Sequence, residues 1–85
     1  MNTQEIFEKF IQIIKQYVKD AGRLENATMD TAIIQDLKVN SARLVDIIIQ
    51  SEDAFDIEID DDDADRIKTV GDAVKVIERK LCVTQ

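Results

Sequence analysis

Apolar side chains recur at spacings of three and four residues in three stretches of the chain, and this is the period of an amphipathic α-helix. The first stretch predicts a helix from about Thr3 to Ala21, capped by Asn2 or Thr3. Its core-facing stripe consists of Ile6, Phe7, Phe10, Ile11, Ile14, Tyr17, Val18 and Ala21. The sequence has no proline and only two glycines, of which Gly22 fits a helix C-terminus. An all-α fold is therefore expected.

The second stretch predicts a helix from Asn40 or Ser41 to about Phe55, with Asn40 as its N-cap. One face should lie in the core: Leu44, Ile47, Ile48, Ser51 and Phe55. A second face has small apolar residues beside carboxylates: Ala42, Val45, Asp46, Ile49, Glu52 and Asp53. This face is either a solvated surface with a few aliphatic residues or a protein-binding face with an acidic rim, and periodicity alone favours neither.

The remaining segments complete a small four-helix bundle with three longer helices, one short helix and a long first loop. The loop spans residues 23 to 39 and should be pinned to the core by Ile33, Ile34 and Leu37. A short helical turn is expected within Asp60 to Arg66, with Ala64 and Ile67 as apolar anchors.

The last helix should begin at Thr69, with Asp72 completing a capping box. Its buried stripe would be Val70, Ala73, Val74, Ile77 and Leu81, while Lys75, Arg79 and Lys80 should face water. A chain of 85 residues has the length of one domain, 1–85, with one modest core.

The net charge of −7 is concentrated in residues 41 to 67, which contain ten acidic and two basic side chains. Nucleic acid is excluded as a partner, because phosphate binding needs clustered Lys and Arg, and a basic protein surface is the natural complement. The acidic run from Asp56 to Asp63 does not fit an EF-hand, since Asp61 stands where glycine is needed and Ile67 where a bidentate Glu is needed. A solvated acidic surface and no metal site are expected there, and weak divalent-cation binding by the crowded carboxylates Asp60 to Asp63 stays an open alternative.

Ser41 has no features of a catalytic serine. The chain contains no histidine to act as its base, and no Gly-x-Ser-x-Gly elbow surrounds it. With only Gly22 and Gly71 available, phosphate-binding loops are excluded as well. The chain is therefore expected to be no enzyme, and Ser41 to be a point of attachment.

The single cysteine and the first ten residues bear on the cellular compartment of the protein. Cys82 is the only cysteine, so it is expected to be a free thiol with no disulfide partner in the chain. Residues 1–10 include charged side chains and lack a continuous apolar core, so neither a signal peptide nor a membrane span is expected. A cytoplasmic monomer is the expectation.

From Ile33 to Ile77, without a gap, the sequence resembles an acyl carrier protein. The residues that match in order and spacing are Asp36-Leu37, Ser41 at the head of its helix, Phe55-Asp56-Ile57-Glu58-Ile59, Ala64, Ile67 and Thr69-Val70-Gly71-Asp72-Ala73-Val74. The resemblance implies that a phosphopantetheinyl transferase attaches 4′-phosphopantetheine to Ser41, and that the thiol of this arm bears an acyl group as a thioester. It also implies delivery to acyl-transferring or synthase enzymes of a fatty-acid, lipid or polyketide-type pathway.

The resemblance assigns two further sets of residues. Partner enzymes with basic docking patches would meet Asn40, Ala42, Arg43, Val45, Asp46, Ile49 and Asp53. The acyl chain would lie among Ile33, Leu44, Ile47, Ser51, Phe55, Ala64, Ile67 and Ala73, although packing of the bundle accounts for the same residues.

The sequence departs from the family beside the serine. The family motif Asp-Ser-Leu is Asn40-Ser41-Ala42 here, Arg43 adds a cation, Lys38 replaces a common glycine, and Ser51 replaces an apolar pocket residue. These departures predict a specialised carrier with a dedicated pathway or transferase, and not the housekeeping fatty-acid carrier. The alternatives are a carrier-like protein that is not modified and an acidic interaction or divalent-cation-binding bundle.

Overall fold

The computed structural model describes residues 2–19 and 22–83, without the side chains of Arg23, Cys82 and Val83. The helices in this part of the chain are α1 (Thr3–Lys15), α2 (Gly22–Glu25), α3 (Ser41–Phe55), α4 (Asp61–Arg66) and α5 (Val70–Val83). The described residues form no strand, and one isolated bridge joins Ala32 to Thr69. The prediction of an all-α bundle with three longer helices, one short helix and a long first loop is confirmed, and α2 adds a single extra turn.

The core lies where α1 packs against α3 and α5. The most deeply buried side chains of these helices include Ile6, Phe10, Ile14, Ile47, Val74 and Ile77. All five residues predicted for the core face of α3 are buried, and so are Val70, Ala73, Val74 and Ile77 of α5, with Leu81 half-buried. The apolar period of the sequence therefore identified the contact surfaces of both helices.

Helix α1 is shorter than predicted, since it ends at Lys15 and not at Ala21, which lies outside the described residues. The N–H of Tyr17 donates to the carbonyl of Ile14 at 2.8 Å, a tight turn that closes the helix. Tyr17 and Val18 pack against the core from this turn, so the apolar pattern continues past the last helical residue. Gly22 accordingly begins α2 and does not end α1.

Two helix starts follow the predicted capping chemistry. At α1, Asn2 is the cap: its side-chain oxygen accepts the N–H of Glu5 at 2.8 Å, and the Glu5 carboxylate accepts the N–H of Asn2. At α5, the Thr69 hydroxyl accepts the N–H of Asp72 at 3.1 Å, and the Asp72 carboxylate accepts the N–H of Thr69. Burial raises the pKa of Asp72, but the backbone hydrogen bonds from Thr69 and Lys68 outweigh it and lower that pKa below its usual value.

The long loop is fastened to the start of α5 by backbone hydrogen bonds. The N–H of Val70 donates to Thr31 at 2.9 Å, and the N–H of Gly71 donates to Met29 at 2.8 Å. Residue 71 must be small, because a Cβ atom there would lie 2.7 Å from the Met29 carbonyl oxygen. These bonds also satisfy N–H groups that a helix start leaves without partners.

Ile33 and Leu37 anchor the loop in the core as predicted, but Ile34 does not. Its side chain is 43% exposed, because residues 33–36 form a turn in which neighbouring side chains point in different directions. The N–H of Asp36 closes this turn onto the carbonyl of Ala32 at 2.9 Å.

Candidate functional site

Ser41 is the first residue of α3, and its side chain is exposed. Asn40 caps the helix as predicted, since its side-chain oxygen accepts the N–H of Ala42 at 2.8 Å. The first intrahelical bond then runs from the N–H of Leu44 to the carbonyl of Asn40, at 2.9 Å. An accessible hydroxyl at a helix N-terminus is a favourable place for a covalently attached phosphate group, because the helix dipole stabilises negative charge there.

The segment before Ser41 contains a strained residue, Lys38, whose two neighbours are anchored in the core. Lys38 has φ 58°, in the left-handed region that glycine adopts most readily. Leu37 and Val39 flank it and are buried, and their N–H groups bond to the carbonyls of Ala32 and Ile33. The left-handed turn at Lys38 thus lets both neighbours reach the core and sets the direction in which α3 begins.

The outward face of α3 is the predicted second face, and we call these six residues the docking face: Ala42, Val45, Asp46, Ile49, Glu52 and Asp53. None of the six is buried. Val45 is 54% exposed and Ile49 57%, more than any other large apolar side chain that the structure describes. Two adjacent exposed aliphatic side chains with carboxylates around them resemble the centre and rim of a protein interface.

The charges on and beside the docking face are partly engaged with other groups. The Arg43 guanidinium pairs with the Asp46 carboxylate, with 3.3 Å between nitrogen and oxygen; the Arg43 side chain is exposed and that of Asp46 is half-exposed. The Glu52 carboxylate accepts the N–H of Ile59 at 2.9 Å. Asp53 stays exposed on the face, and Asp56 is exposed at the end of the helix.

Arg43 also borders a surface cleft between the end of α1 and the start of α3. The cleft has a volume of about 390 Å³ and is lined by Gln16, Tyr17, Val18, Lys19 and Arg43. The Tyr17 hydroxyl donates to the Gln50 side-chain oxygen at 2.7 Å and so ties the turn after α1 to α3. The sequence does not predict this cleft, because the cleft depends on where α1 ends.

Of the eight residues predicted to surround an acyl chain, Ala64 is half-buried. The other seven are buried: Ile33, Leu44, Ile47, Ser51, Phe55, Ile67 and Ala73. Ser51 is the polar member, 1% exposed, and its hydroxyl donates to the carbonyl of Ile47 at 2.8 Å. Six of the eight belong to the continuous hydrophobic core and Ala64 packs against it, so packing of the bundle accounts for their burial. Their role in holding cargo stays a prediction.

The sequence predicts that the acidic run is a solvated surface, but one residue of the run is buried. Asp63 is only 5% exposed and pairs with Arg79 and with the Lys80 ammonium group, the latter at 3.0 Å. The hydrogen bonds from Lys80 and Arg79 outweigh the effect of burial and lower the pKa of Asp63 to about 2. Arg79 is exposed as predicted, whereas Lys80 is half-buried, and both fasten α5 to α4 through Asp63.

Asp60 of the run caps α4, because its carboxylate accepts the N–H of Asp63 at 2.9 Å. Within residues 2–19 and 22–83, no three His, Cys, Asp or Glu side chains are grouped so that they could hold a metal ion. None of the described helices has the length and apolar character of a membrane span. The Cys82 side chain, predicted to be a free thiol, lies outside the described residues.

No protein-family model and no curated protein sequence matches the chain. Among solved structures, the chain is similar to the acyl carrier protein from Enterococcus faecalis. The two share 31% sequence identity over 94% of this chain and 99% of that one, with a TM-score of 0.77. The likeness therefore extends over the whole fold and includes the sequence as well as the backbone.

Proposed function

The chain belongs to the acyl carrier protein family, and we propose that it carries acyl groups as thioesters on a 4′-phosphopantetheine arm attached to Ser41. Acyl carrier proteins are carriers and not catalysts. The observation that carries the proposal is the exposed hydroxyl of Ser41 at the first position of α3, in the place where the resembling family has its modified serine. The chain has one other serine, Ser51, and its hydroxyl is buried and bonded to Ile47.

The residues present at Ser41 are compatible with the arm. Its phosphodiester would be negatively charged, and the N-terminal end of α3 favours negative charge. The neutral cap Asn40 adds no like charge, whereas an aspartate in its place would. When bound, the arm supplies the thiol on which a thioester forms, and the protein supplies the attachment point and the surface that partner enzymes recognise.

The docking face supports the second half of the proposal, the delivery of cargo to partner enzymes. Its exposed apolar centre, Val45 and Ile49, offers a small contact area, and Asp53 offers charge to a basic patch. Complementary charges on two surfaces speed diffusional encounter more than they lengthen the lifetime of a complex. Short encounters suit a carrier that must visit a transferase and then several acyl-transferring or synthase enzymes of a fatty-acid, lipid or polyketide-type pathway.

We also propose that the protein is a specialised member of the family. The departures from the family pattern lie at Lys38, Asn40, Ala42, Arg43 and Ser51, and four of them are within three residues of Ser41. The fifth, Ser51, introduces a hydroxyl among the buried residues where an acyl chain would lie. Both the modifying enzyme and the cargo are therefore proposed to differ from those of a housekeeping fatty-acid carrier.

Intact-mass measurement after co-expression with a phosphopantetheinyl transferase of broad tolerance tests the proposal. The wild type should gain one prosthetic group, and Ser41→Ala should gain none. Ser51→Ala is the matched control, because it removes the only other serine and should still be modified. A wild type that remains unmodified by every transferase tried would overturn the proposal and favour a carrier-like interaction protein.

A further inference from the structure

The surface around Ser41 is polarised, with cations at the serine end of α3 and carboxylates at the far end. Two basic side chains near the serine in the chain are exposed, Arg43 two residues after it and Lys38 three residues before it, and a third exposed one, Lys19, lines the same cleft as Arg43. The exposed carboxylates Asp53 and Asp56 lie at the opposite end of the helix. Since α3 rises about 1.5 Å per residue, Arg43 and Asp53 are separated by about 15 Å along its axis.

The ion pair between Arg43 and Asp46 lies at the serine end of this surface. Asp46 is the carboxylate of the docking face that lies nearest to Ser41, and the guanidinium of Arg43 offsets its charge at a distance of 3.3 Å. The Arg43 side chain remains 65% exposed, so the pair does not cover it. A partner that approaches the serine therefore meets the exposed cations Lys38 and Arg43, and the exposed carboxylates Asp53 and Asp56 lie beyond the apolar pair Val45 and Ile49.

We propose that Arg43 selects partner enzymes by charge: a productive partner places an acidic side chain beside its active-site entrance, opposite Arg43, and basic side chains about 15 Å away, opposite Asp53. This inference rests on the proposed function, because it concerns the enzymes that act on Ser41. An enzyme whose docking surface is basic throughout would bring like charges together at the serine end. Juxtaposition of like charges weakens an encounter complex and slows its formation.

Binding can be measured without modification in the Ser41→Ala background, with a broadly tolerant transferase of basic docking surface as the probe. Ser41→Ala/Arg43→Asp should bind this transferase about threefold to tenfold more tightly than Ser41→Ala at low salt, since repulsion is replaced by attraction. The difference should shrink at about 1 M salt, where the screening length falls to about 3 Å. Ser41→Ala/Lys75→Glu is the matched control: it changes the net charge by the same two units on exposed α5 surface and should change affinity less than twofold.

Charge reversal on the transferase provides the second measurement. Each basic residue at its active-site entrance is changed singly to Glu, and rates of modification are compared for wild-type chain and Arg43→Asp. At least one Glu variant should modify the wild type faster than the parent transferase does and modify Arg43→Asp more slowly. The same ranking of transferases for both chains, or equal affinities in the binding assay, would overturn the role of Arg43 while leaving modification of Ser41 intact. Absence of modification in every chain would overturn the proposed function itself.

Discussion

Lys38→Gly should stabilise the protein, although it removes a side chain and adds backbone freedom. Lys38 has φ 58°, a conformation that costs an L-residue with a Cβ atom roughly 1–2 kcal/mol. Glycine avoids this cost but loses more conformational entropy on folding, by roughly 0.5–1 kcal/mol. The Lys38 side chain is exposed, so its removal sacrifices little burial. The balance is a gain of about 0.5–1 kcal/mol, which corresponds to a rise in Tm of roughly 2–8 °C for a domain of this size.

Thermal unfolding followed by circular dichroism measures this change, and two variants separate its causes. Lys38→Ala keeps the Cβ atom and with it the strain, so it should leave Tm nearly unchanged. Lys68→Gly introduces the same residue at another exposed loop position, where φ is not positive, and should lower Tm. If Lys38→Gly lowers Tm as much as Lys68→Gly does, the backbone at residue 38 is not strained and the reasoning is refuted.

Two other predictions concern how the elements are held together. Gly71→Ala should destabilise the protein by about 1–3 kcal/mol in urea unfolding, because the new Cβ atom would lie 2.7 Å from the Met29 carbonyl oxygen and push the loop off α5; an unchanged midpoint would contradict that close contact. Asp63→Asn should lower the free energy of unfolding at pH 7. The pKa of Asp63 is about 2 in the folded protein against an ordinary 3.8, so its carboxylate contributes to stability above about pH 4, and this contribution is lost as the pH falls through 2. The difference between wild type and variant in urea unfolding should therefore shrink from pH 4 to pH 2, and a difference that stays constant would show that the ion pairs of Asp63 contribute nothing.

Local signals in the sequence were sufficient for the helix starts and for most of the buried faces, although the predicted stripes left out the buried Ile13 and Val76. Asn40 caps α3, and Thr69 with Asp72 caps α5, because capping depends on residues no more than three apart. The end of α1 could not be read in the same way. Tyr17 and Val18 continue the apolar period from a turn, and the hydrogen bond that helps to hold this turn involves Gln50, 33 residues away. Ile34 illustrates the same limit, since only the turn at residues 33–36 decides that it points outward.

Part of the candidate site could likewise be predicted from the sequence, and part could not. The position of Ser41 at the head of α3, the cap at Asn40 and the exposed apolar pair Val45 and Ile49 all follow from helical periodicity. The burial of Asp63 does not, because its partners Arg79 and Lys80 lie on another helix and a run of aspartates ordinarily indicates a solvated surface. The resemblance gave one hint of the strain at Lys38, because the family commonly has glycine there, but the positive φ itself is seen only in the backbone.

Peptide mapping of the modified protein tests the central claim most directly. Trypsin cleaves after Lys38 and Arg43 and releases the peptide Val39–Arg43, in which Ser41 is the only hydroxyl side chain. In protein co-expressed with a phosphopantetheinyl transferase, tandem mass spectrometry should find the whole arm on this peptide and detect loss of pantetheine on fragmentation. An unmodified Val39–Arg43 peptide from protein whose intact mass has increased by one arm would contradict the assignment of Ser41.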